Sequence, residues 1–155
     1  MREDGLEKIK ERKARYGLGM NRGLTGEELA AFSGNVEAAF GILLPEGYRK
    51  LLLRANGWEY NGYKLYGADF YGKPFSGAGA AGETDENGLV WNNEIWWENE
   101  WQKAYLFLGE GDMSWFVCRI GDGRFLELDL PSGSPVAAFD SFEGLHEQML
   151  KEALM

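Results

Sequence analysis

The fold is decided by residues 44–58, which read LPEGYRKLLLRANGW. Pro45 fits the first position of a helix, where its missing N–H group is not needed. Asn56 and Gly57 can supply the left-handed residue that ends a helix, and the extended pattern of residues 63–67 follows. Between these signals, four apolar residues recur at helical spacing and predict one buried stripe: Tyr48, Leu51, Leu52 and Ala55. The segment therefore predicts a short core helix that leads directly into a sheet.

Two helices are predicted before this segment. Residues 3–16 have the pattern of a charged, weakly amphipathic helix. Thr25 and Glu28 have the spacing of a capping box and predict the start of a second helix. Residues 33–35 place a glycine between two polar residues, so we expect them to interrupt that helix or to split it into two. Four residues of the second helix share one face: Leu29, Phe32, Val36 and Phe40.

The hydrophobic period changes from helical to extended after Trp58. Residues 58–60 and 63–67 are separated by Asn-Gly, which predicts a hairpin with a type I′ turn. Residues 105–109 are apolar on both faces and are expected to form a central strand. Later runs predict a second hairpin and a last strand: residues 113–120 and 125–130, joined at 121–123, and then 136–139.

One face of the strand at residues 125–130 is expected to be exposed to water. Phe125, Glu127 and Asp129 alternate there with three leucines. Strict alternation of polar and apolar residues is typical of a half-buried strand.

The C-terminal segment predicts a final helix. Asp140 or Ser141 can cap it, and Phe142, Leu145 and Met149 would form its inner stripe. Helices first, then hairpins, then a helix indicate an α+β fold, with a mostly antiparallel twisted sheet and helices packed at the N- and C-terminal ends. A chain of 155 residues fits one domain around one hydrophobic core.

Composition and charge narrow the class of protein. With 45% hydrophobic and 14% aromatic residues, the chain has enough apolar material to fold. The net charge of −9 argues against nucleic acid as a partner, since phosphate binding needs a positive field. No apolar run has the length of a signal peptide core or a membrane span, and Cys118 is the single cysteine. We therefore expect a cytoplasmic protein that does not bind membranes.

The order of these signals resembles the SUKH superfamily, the SMI1/KNR4-like proteins, and in particular its bacterial YrhA-like branch. The main elements of the resemblance are the Leu-Pro-x-x-Tyr motif at residues 44–48, the apolar helix, the Asn-Gly pair and the Leu-Tyr-Gly that ends the next strand. The resemblance extends over roughly residues 24–154, and the stretch 70–102 departs most from the family pattern. It implies a single SMI1/KNR4-like domain over residues 1–155, in which residues 1–20 form a charged helix at the periphery.

Three sequence patterns bear on catalysis and ligand binding. Residues 77–82 match G-x-G-x-x-G, but neither a strand before them nor a helix after them is predicted, so we expect a loop. Residues 83–94 fit a calcium loop in part, although Glu83 replaces the usual aspartate and no helix precedes it. His146 is the only histidine and is expected near the exposed side of the last helix, without a second imidazole. We therefore predict no catalytic residues, no metal site, no cofactor and no enzymatic activity.

The strongest local signal is the sequence WNNEIWWENEW at residues 91–101. Four tryptophans in so short a segment cannot all face the core of one helix or strand, and tryptophan is favoured at the centre of protein interfaces. From Glu83 to Asp112 there are eight acidic residues against Lys103 alone, which would attract a basic partner. The predicted partner-binding residues are Asp85, Glu86, Trp96, Trp97, Glu98, Glu100, Glu110 and Asp112.

The resemblance implies an immunity protein that binds and neutralises a cognate bacterial toxin of a contact-dependent or polymorphic toxin system. A basic nuclease is the logical toxin, because an acidic surface can occupy a site that is built for phosphate. Two alternatives stay open: a cytoplasmic regulatory or scaffold protein that binds a cellular partner, and a domain that binds a small ligand or calcium through residues 70–94. A monomer is favoured over an oligomer.

Overall fold

A computed structural model describes residues 4–69 and 85–155 of the chain. Its helices are α1 (Gly5–Ala14), α2 (Gly26–Phe40), α3 (Glu46–Arg54), α4 (Leu89–Trp96) and α5 (Phe142–Ala153). Its strands are β1 (Trp58–Tyr60), β2 (Tyr63–Leu65), β3 (Tyr105–Glu110), β4 (Ser114–Arg119), β5 (Phe125–Asp129) and β6 (Pro135–Phe139). Short 3₁₀ helices at Asp85–Asn87 and Glu100–Ala104 precede α4 and β3.

The strands form one sheet in the order β1-β2-β3-β4-β5-β6, and every neighbouring pair is antiparallel. This arrangement confirms the predicted α+β class with helices at both ends. Strand β3 lies between β2 and β4, as expected of a segment that is apolar on both faces. Asn61 and Gly62 have φ angles of 52° and 83°, so the predicted type I′ turn between β1 and β2 is also confirmed.

The sheet has two faces, which different helices cover. Trp115 and Phe116 are successive residues of β4 and therefore point to opposite sides. On the α4 face, the ring of Trp115 packs edge-on against Trp96 of α4 at a centroid distance of 5.2 Å. On the α5 face, which includes Phe116, the ring of Phe125 lies 6.2 Å from Phe142 of α5. The molecule therefore has three layers, with the sheet in the middle.

The core helix α3 forms as predicted, one residue later than the proline suggested. Pro45 is the last residue before the helix rather than its first. Tyr48 is fully buried, and its hydroxyl donates a 2.6 Å hydrogen bond to the carbonyl of Tyr66. This bond ties α3 to the chain that leaves β2.

The prediction that the Asn56-Gly57 pair ends α3 with a left-handed cap is wrong. Ala55 already has an extended conformation at the end of the helix. Asn56 is buried, and its Oδ1 accepts a 2.7 Å hydrogen bond from the N–H of Ala68. Gly57 has a φ of 74° and passes so close to the Leu65 carbonyl that a Cβ atom there would collide with it. The pair thus joins the core helix to the first hairpin.

The predicted break in α2 is wrong. The capping box is present, with the Glu28 N–H donating to Thr25 Oγ1 and the Thr25 N–H donating to the Glu28 carboxylate. The helix then continues through Gly34, which is exposed on its outer side. A glycine inside a helix costs about 1 kcal/mol, whereas burial of Phe32 and Val36 each stabilises the helix by about 1.5–3 kcal/mol.

The prediction that Phe125, Glu127 and Asp129 line a water-exposed face is also wrong, because α5 packs across β5. Phe125 and Glu127 are buried, and Asp129 is half-buried. Glu127 Oε2 accepts a 2.7 Å hydrogen bond from the Ser114 hydroxyl. Burial and the neighbouring Glu152 carboxylate raise the pKa of Glu127 to about 7, although the bond from Ser114 opposes the shift.

The prediction that His146 lies near the exposed side of the last helix is wrong. His146 is buried inside the α5 layer. Its Nε2 accepts a 2.9 Å hydrogen bond from the indole Nε1–H of Trp58, and its ring stacks on Phe142. Burial lowers the pKa of His146 to about 3, with a further lowering by the charge of Arg54. Of the two predicted caps of α5, Asp140 and Ser141, the structure has Ser141. Its hydroxyl oxygen accepts a hydrogen bond from the N–H of Gly144.

Replacing Tyr48 with Phe should lower the free energy of unfolding by about 1–3 kcal/mol, because the buried Tyr66 carbonyl loses its donor. Tyr16→Phe is the matched control, since Tyr16 is 79% exposed, and it should leave stability unchanged. Urea denaturation of the two variants measures both effects. Equal stability of Tyr48→Phe and the parent protein would contradict this role for the hydroxyl.

The contribution of Glu127 to stability should decline as the pH rises from about 4.5 to about 7, because the folded protein keeps a proton on this carboxylate that the unfolded chain releases. Glu127→Gln should remove about 1–2 kcal/mol of this decline. This is less than the free energy that the full pKa shift would give, because solvent screens part of the interaction. Urea denaturation of both proteins across this pH range is the measurement.

His146 must be considered in the same experiment. Because the folded protein keeps it unprotonated, it contributes the opposite slope below pH 6.5, where stability falls with falling pH. Around Glu127, the other ionisable groups that interact electrostatically are Tyr63, Asp112 and Glu152. An unchanged decline between about pH 6.5 and 7 in Glu127→Gln would show that another group releases the proton.

Candidate partner-binding surface

Helix α4 lies between the predicted contact residues Glu86 and Trp97, and a buried carboxylate fixes its N-terminus. The two oxygens of Asp69 accept hydrogen bonds from the N–H groups of Val90 at 2.7 Å and Trp91 at 3.0 Å. A negative charge at this end is stabilised by the helix dipole. Gly88 makes the contact possible, since a Cβ atom there would collide with the Asp69 carboxylate. Asp69 therefore has a structural role.

A buried amide fixes α4 to the sheet. Asn93 Oδ1 accepts a hydrogen bond from the N–H of Phe107, and its Nδ2 donates to the Phe107 carbonyl, each at 2.8 Å. The same Nδ2 also donates to the carbonyl of Leu89 within the helix. Because these bonds set the rotation of α4, the side of the helix opposite Asn93 faces solvent.

Trp96 and Trp97, which we predicted as partner-binding residues, are half-buried against the core. The indole N–H of Trp96 donates to the Tyr66 hydroxyl at 2.9 Å. The indole N–H of Trp97 donates to the Tyr105 carbonyl at 2.8 Å, and its ring packs edge-on against Phe40. Both tryptophans therefore hold α4 and α2 on the sheet, and their contact with a partner stays a prediction.

The outer side of α4 exposes two large apolar residues that we did not predict as partner-binding residues. Trp91 is 39% exposed and Ile95 is 45% exposed. Helical geometry places them, together with Glu94, within an arc of about 100°. The i, i+4 spacing of Trp91 and Ile95 was visible in the sequence, but the side of α4 that faces the sheet was not.

The predicted acidic residues form two groups. Glu98 and Glu100 are exposed near the start of β3, whereas Glu110 and Asp112 lie at its end, about 17 Å further along the strand. Glu110 is half-buried and accepts a 2.7 Å hydrogen bond from the Tyr66 hydroxyl, so its carboxylate is engaged within the protein. The structure thus does not bring the predicted acidic residues into one patch.

The first acidic group continues along α4. Glu86 is exposed before the helix, and Asp85 begins the 3₁₀ helix there, although the Asp85 side chain lies outside the described part of the chain. Glu100 lies 3.1 Å from Lys103, in an exposed ion pair that contributes little to stability. We define the α4 outer surface as Glu86, Trp91, Glu94, Ile95 and Glu98.

The ligand motifs of the sequence find little support in the described residues. Residues 70–84, including the glycine motif at 77–82 and Glu83, lie outside them. Glu94, the last position of the partial calcium-loop pattern, is exposed on α4. Within residues 4–69 and 85–155, no group of three or more His, Cys, Asp or Glu side chains could hold a metal ion.

Cys118 and His146, the single cysteine and the single histidine of the chain, are unsuited to nucleophilic catalysis. Cys118 is half-buried, and burial raises the pKa of its thiol to about 11, with a further contribution from Asp122. A thiol with so high a pKa is a poor nucleophile at neutral pH. His146 is engaged with Trp58, as described above.

The chain matches a known protein family. The family described as the SMI1 / KNR4 family (SUKH-1) matches residues 23–147, which include α2 to α4, the whole sheet and the start of α5. None of the curated proteins compared with the chain matches it in sequence. Within the part of the chain that the structure describes, no helix is long and apolar enough to span a membrane.

Replacing Trp96 or Trp97 with Ala should lower the free energy of unfolding by about 2–4 kcal/mol, because each indole fills space against the core and donates a hydrogen bond. Trp91→Ala is the matched control and should cost clearly less, because the Trp91 side chain is 39% exposed. Thermal and urea denaturation distinguish these results. Similar losses for all three variants would mean that α4 is rotated relative to the structure.

Proposed function

Because the chain belongs to the SMI1/KNR4 family (SUKH-1), we propose that it is an immunity protein that binds and neutralises a cognate bacterial toxin of a contact-dependent or polymorphic toxin system. Bacterial members of the SUKH superfamily commonly have this role, and each blocks its own toxin by binding it. The family match over residues 23–147 is the observation on which the proposal rests. Membership of the YrhA-like branch stays a prediction.

In this proposal the toxin contacts the α4 outer surface. Trp91 and Ile95 provide exposed apolar area on a helix that Asn93 holds rigidly, and large side chains of this kind dominate the free energy of many interfaces. The rigid attachment matters because little conformational entropy is lost when an ordered surface binds. The half-exposed edges of Trp96 and Trp97 extend the same contact.

The charge around α4 favours a basic toxin, and a nuclease is the proposed class. Glu86, Glu94 and Glu98 are exposed around the apolar pair, and Glu100 follows them. A nuclease attracts phosphate with positive charge, so an acidic inhibitor can occupy the same site. Glu110 and Asp112 lie at the other end of β3, and Asp85 directly precedes Glu86 in the chain. The negative charge of these three residues should act on the rate of association.

The proposal is tested with the product of the neighbouring gene, in which we expect a toxin domain. Co-expression of the chain should restore growth of cells that the toxin domain inhibits, and the two purified proteins should form a complex. If the neighbouring gene encodes no toxin, or the toxin domain does not bind, the proposal is wrong. A regulatory protein with a cellular partner then becomes the better account.

Replacing Glu98 and Glu100 with Gln should slow association with the toxin domain several-fold and reduce its dependence on salt, since exposed charges at an interface rim act mainly on the association rate. Glu27→Gln with Glu37→Gln is the matched control, because both residues are exposed on α2 and the change of net charge is the same. Stopped-flow measurements over a range of salt concentrations make the comparison.

The same measurements separate charge from apolar contact. Trp91→Ala should leave association nearly unchanged and raise the dissociation rate, with a loss of about 2 kcal/mol or more in binding. If both pairs of Gln substitutions slow association equally, the net charge matters and the α4 outer surface does not. If Trp91→Ala binds like the parent protein, the toxin binds elsewhere on the chain.

A further inference from the structure

A groove lies on the α5 side of the sheet, away from the α4 outer surface. It runs between α1, α3 and α5 and has a volume of about 600 Å³. This size is within the range of small-molecule sites. The apolar part of its lining consists of Leu51, Phe142, Leu150 and Leu154.

Two glycines allow the helices around the groove to approach one another. A Cβ atom on Gly5 of α1 would lie 3.1 Å from Leu150 Cβ, and one on Gly47 of α3 would lie 3.0 Å from Phe142 Cβ. Both glycines line the groove. The walls are therefore formed by closely packed helices, and the space between them is part of the fold.

His146 places an unused hydrogen-bond donor in this lining. Its side chain is nine-tenths buried, and its Nε2 accepts the bond from Trp58. The neutral ring must then carry its proton on Nδ1. No described residue accepts a hydrogen bond from Nδ1 of His146. In the described residues, the side-chain polar atoms that are fully buried without a hydrogen-bond partner are Asn56 Nδ2 and Trp115 Nε1, so Nδ1 of His146 is not one of them. Because His146 lines the groove, Nδ1–H reaches solvent there.

The charges at the groove differ from those of the whole chain. Four cationic side chains line it, Lys8, Lys50, Arg54 and Lys151, together with three acidic ones, Asp4, Glu143 and Glu147. The whole chain, in contrast, has a net charge of −9. Arg54 bonds to Asp4 at 2.8 Å, and both charges act on His146, Arg54 lowering its pKa and Asp4 raising it. The mixed rim can accept one negative charge but disfavours several.

We infer that this groove binds an amphipathic carboxylate, with its hydrocarbon part against Leu51, Leu150 and Leu154 and a carboxylate oxygen accepting from His146 Nδ1–H beside Arg54. A monoanion fits because His146 offers one donor and the lining has four cationic side chains against three acidic ones. The inference does not depend on toxin binding, since the groove and the α4 outer surface lie on opposite sides of the sheet.

Decanoate is the probe for the first test, measured by calorimetry and by ¹H–¹⁵N NMR titration of the full chain. We expect saturable binding that shifts the amide signals of Gly5, Gly47 and Leu150 and the imidazole signals of His146. Octanoate should bind about fourfold to fifteenfold more weakly, since each buried methylene contributes up to about a factor of four. Absence of saturable binding at millimolar concentrations would overturn the inference, and so would shifts confined to Trp91 and Ile95.

A charge variant tests the polar end of the site. Arg54→Gln should weaken decanoate binding by about threefold to fivefold, as expected for one exposed charge pair, and should leave binding of neutral decanol unchanged. Lys103→Gln is the matched control, because it removes one positive charge outside the groove. Equal binding of decanoate and decanol, or equal effects of the two variants, would show that the groove does not recognise a carboxylate.

Discussion

The backbone of Phe107 depends on a side chain for its hydrogen bonds, and the position of α4 follows from this. The register of β2 with β3 includes only Gly109 and Glu110, so β2 stops short of Phe107. The Asn93 amide takes the place of a further strand residue, accepting from the Phe107 N–H and donating to its carbonyl. Because buried backbone groups without partners are costly, the centre of the sheet and α4 are stable only together. This constraint also selects the side of α4 that faces solvent.

The two sides of the sheet have different chemistry as a result. On the α4 side, Trp96 and Trp97 donate short hydrogen bonds to the Tyr66 hydroxyl and the Tyr105 carbonyl, whereas the indole N–H of Trp115 is buried without a partner. The outer side of the helix is an apolar strip with acidic neighbours. On the α5 side, Glu127 and His146 are buried with strongly shifted pKa values, so that side responds to pH. The proposed contact with a partner therefore uses the α4 side of the sheet, whereas the groove between α1, α3 and α5 lies on the other side.

The sequence was sufficient for the fold where one local signal determines one element. The Asn-Gly turn, the capping box at Thr25 and the apolar run of β3 each act within a few residues, and the structure confirms all three. It was insufficient where a distant element decides. The alternation in β5 indicates an exposed face until α5 covers Glu127, and the orientation of α4 depends on Asn93 meeting an unpaired residue of β3. The sequence therefore could not show that Trp91 and Ile95 are exposed on α4 while Trp96 and Trp97 are half-buried, and the partner-binding residues stay a prediction.

Native-state hydrogen exchange at Phe107 tests the central claim most directly, because its amide is bonded only through the Asn93 side chain. We predict that the Phe107 amide exchanges as slowly as the amides shared by β3 and β4, and that the Val90 and Trp91 amides, which Asp69 holds, are protected with it. The contrary result is rapid exchange at all three positions while β3 and β4 remain protected. In that case α4 would not be fixed to the sheet, and its outer surface would not be a preformed contact site.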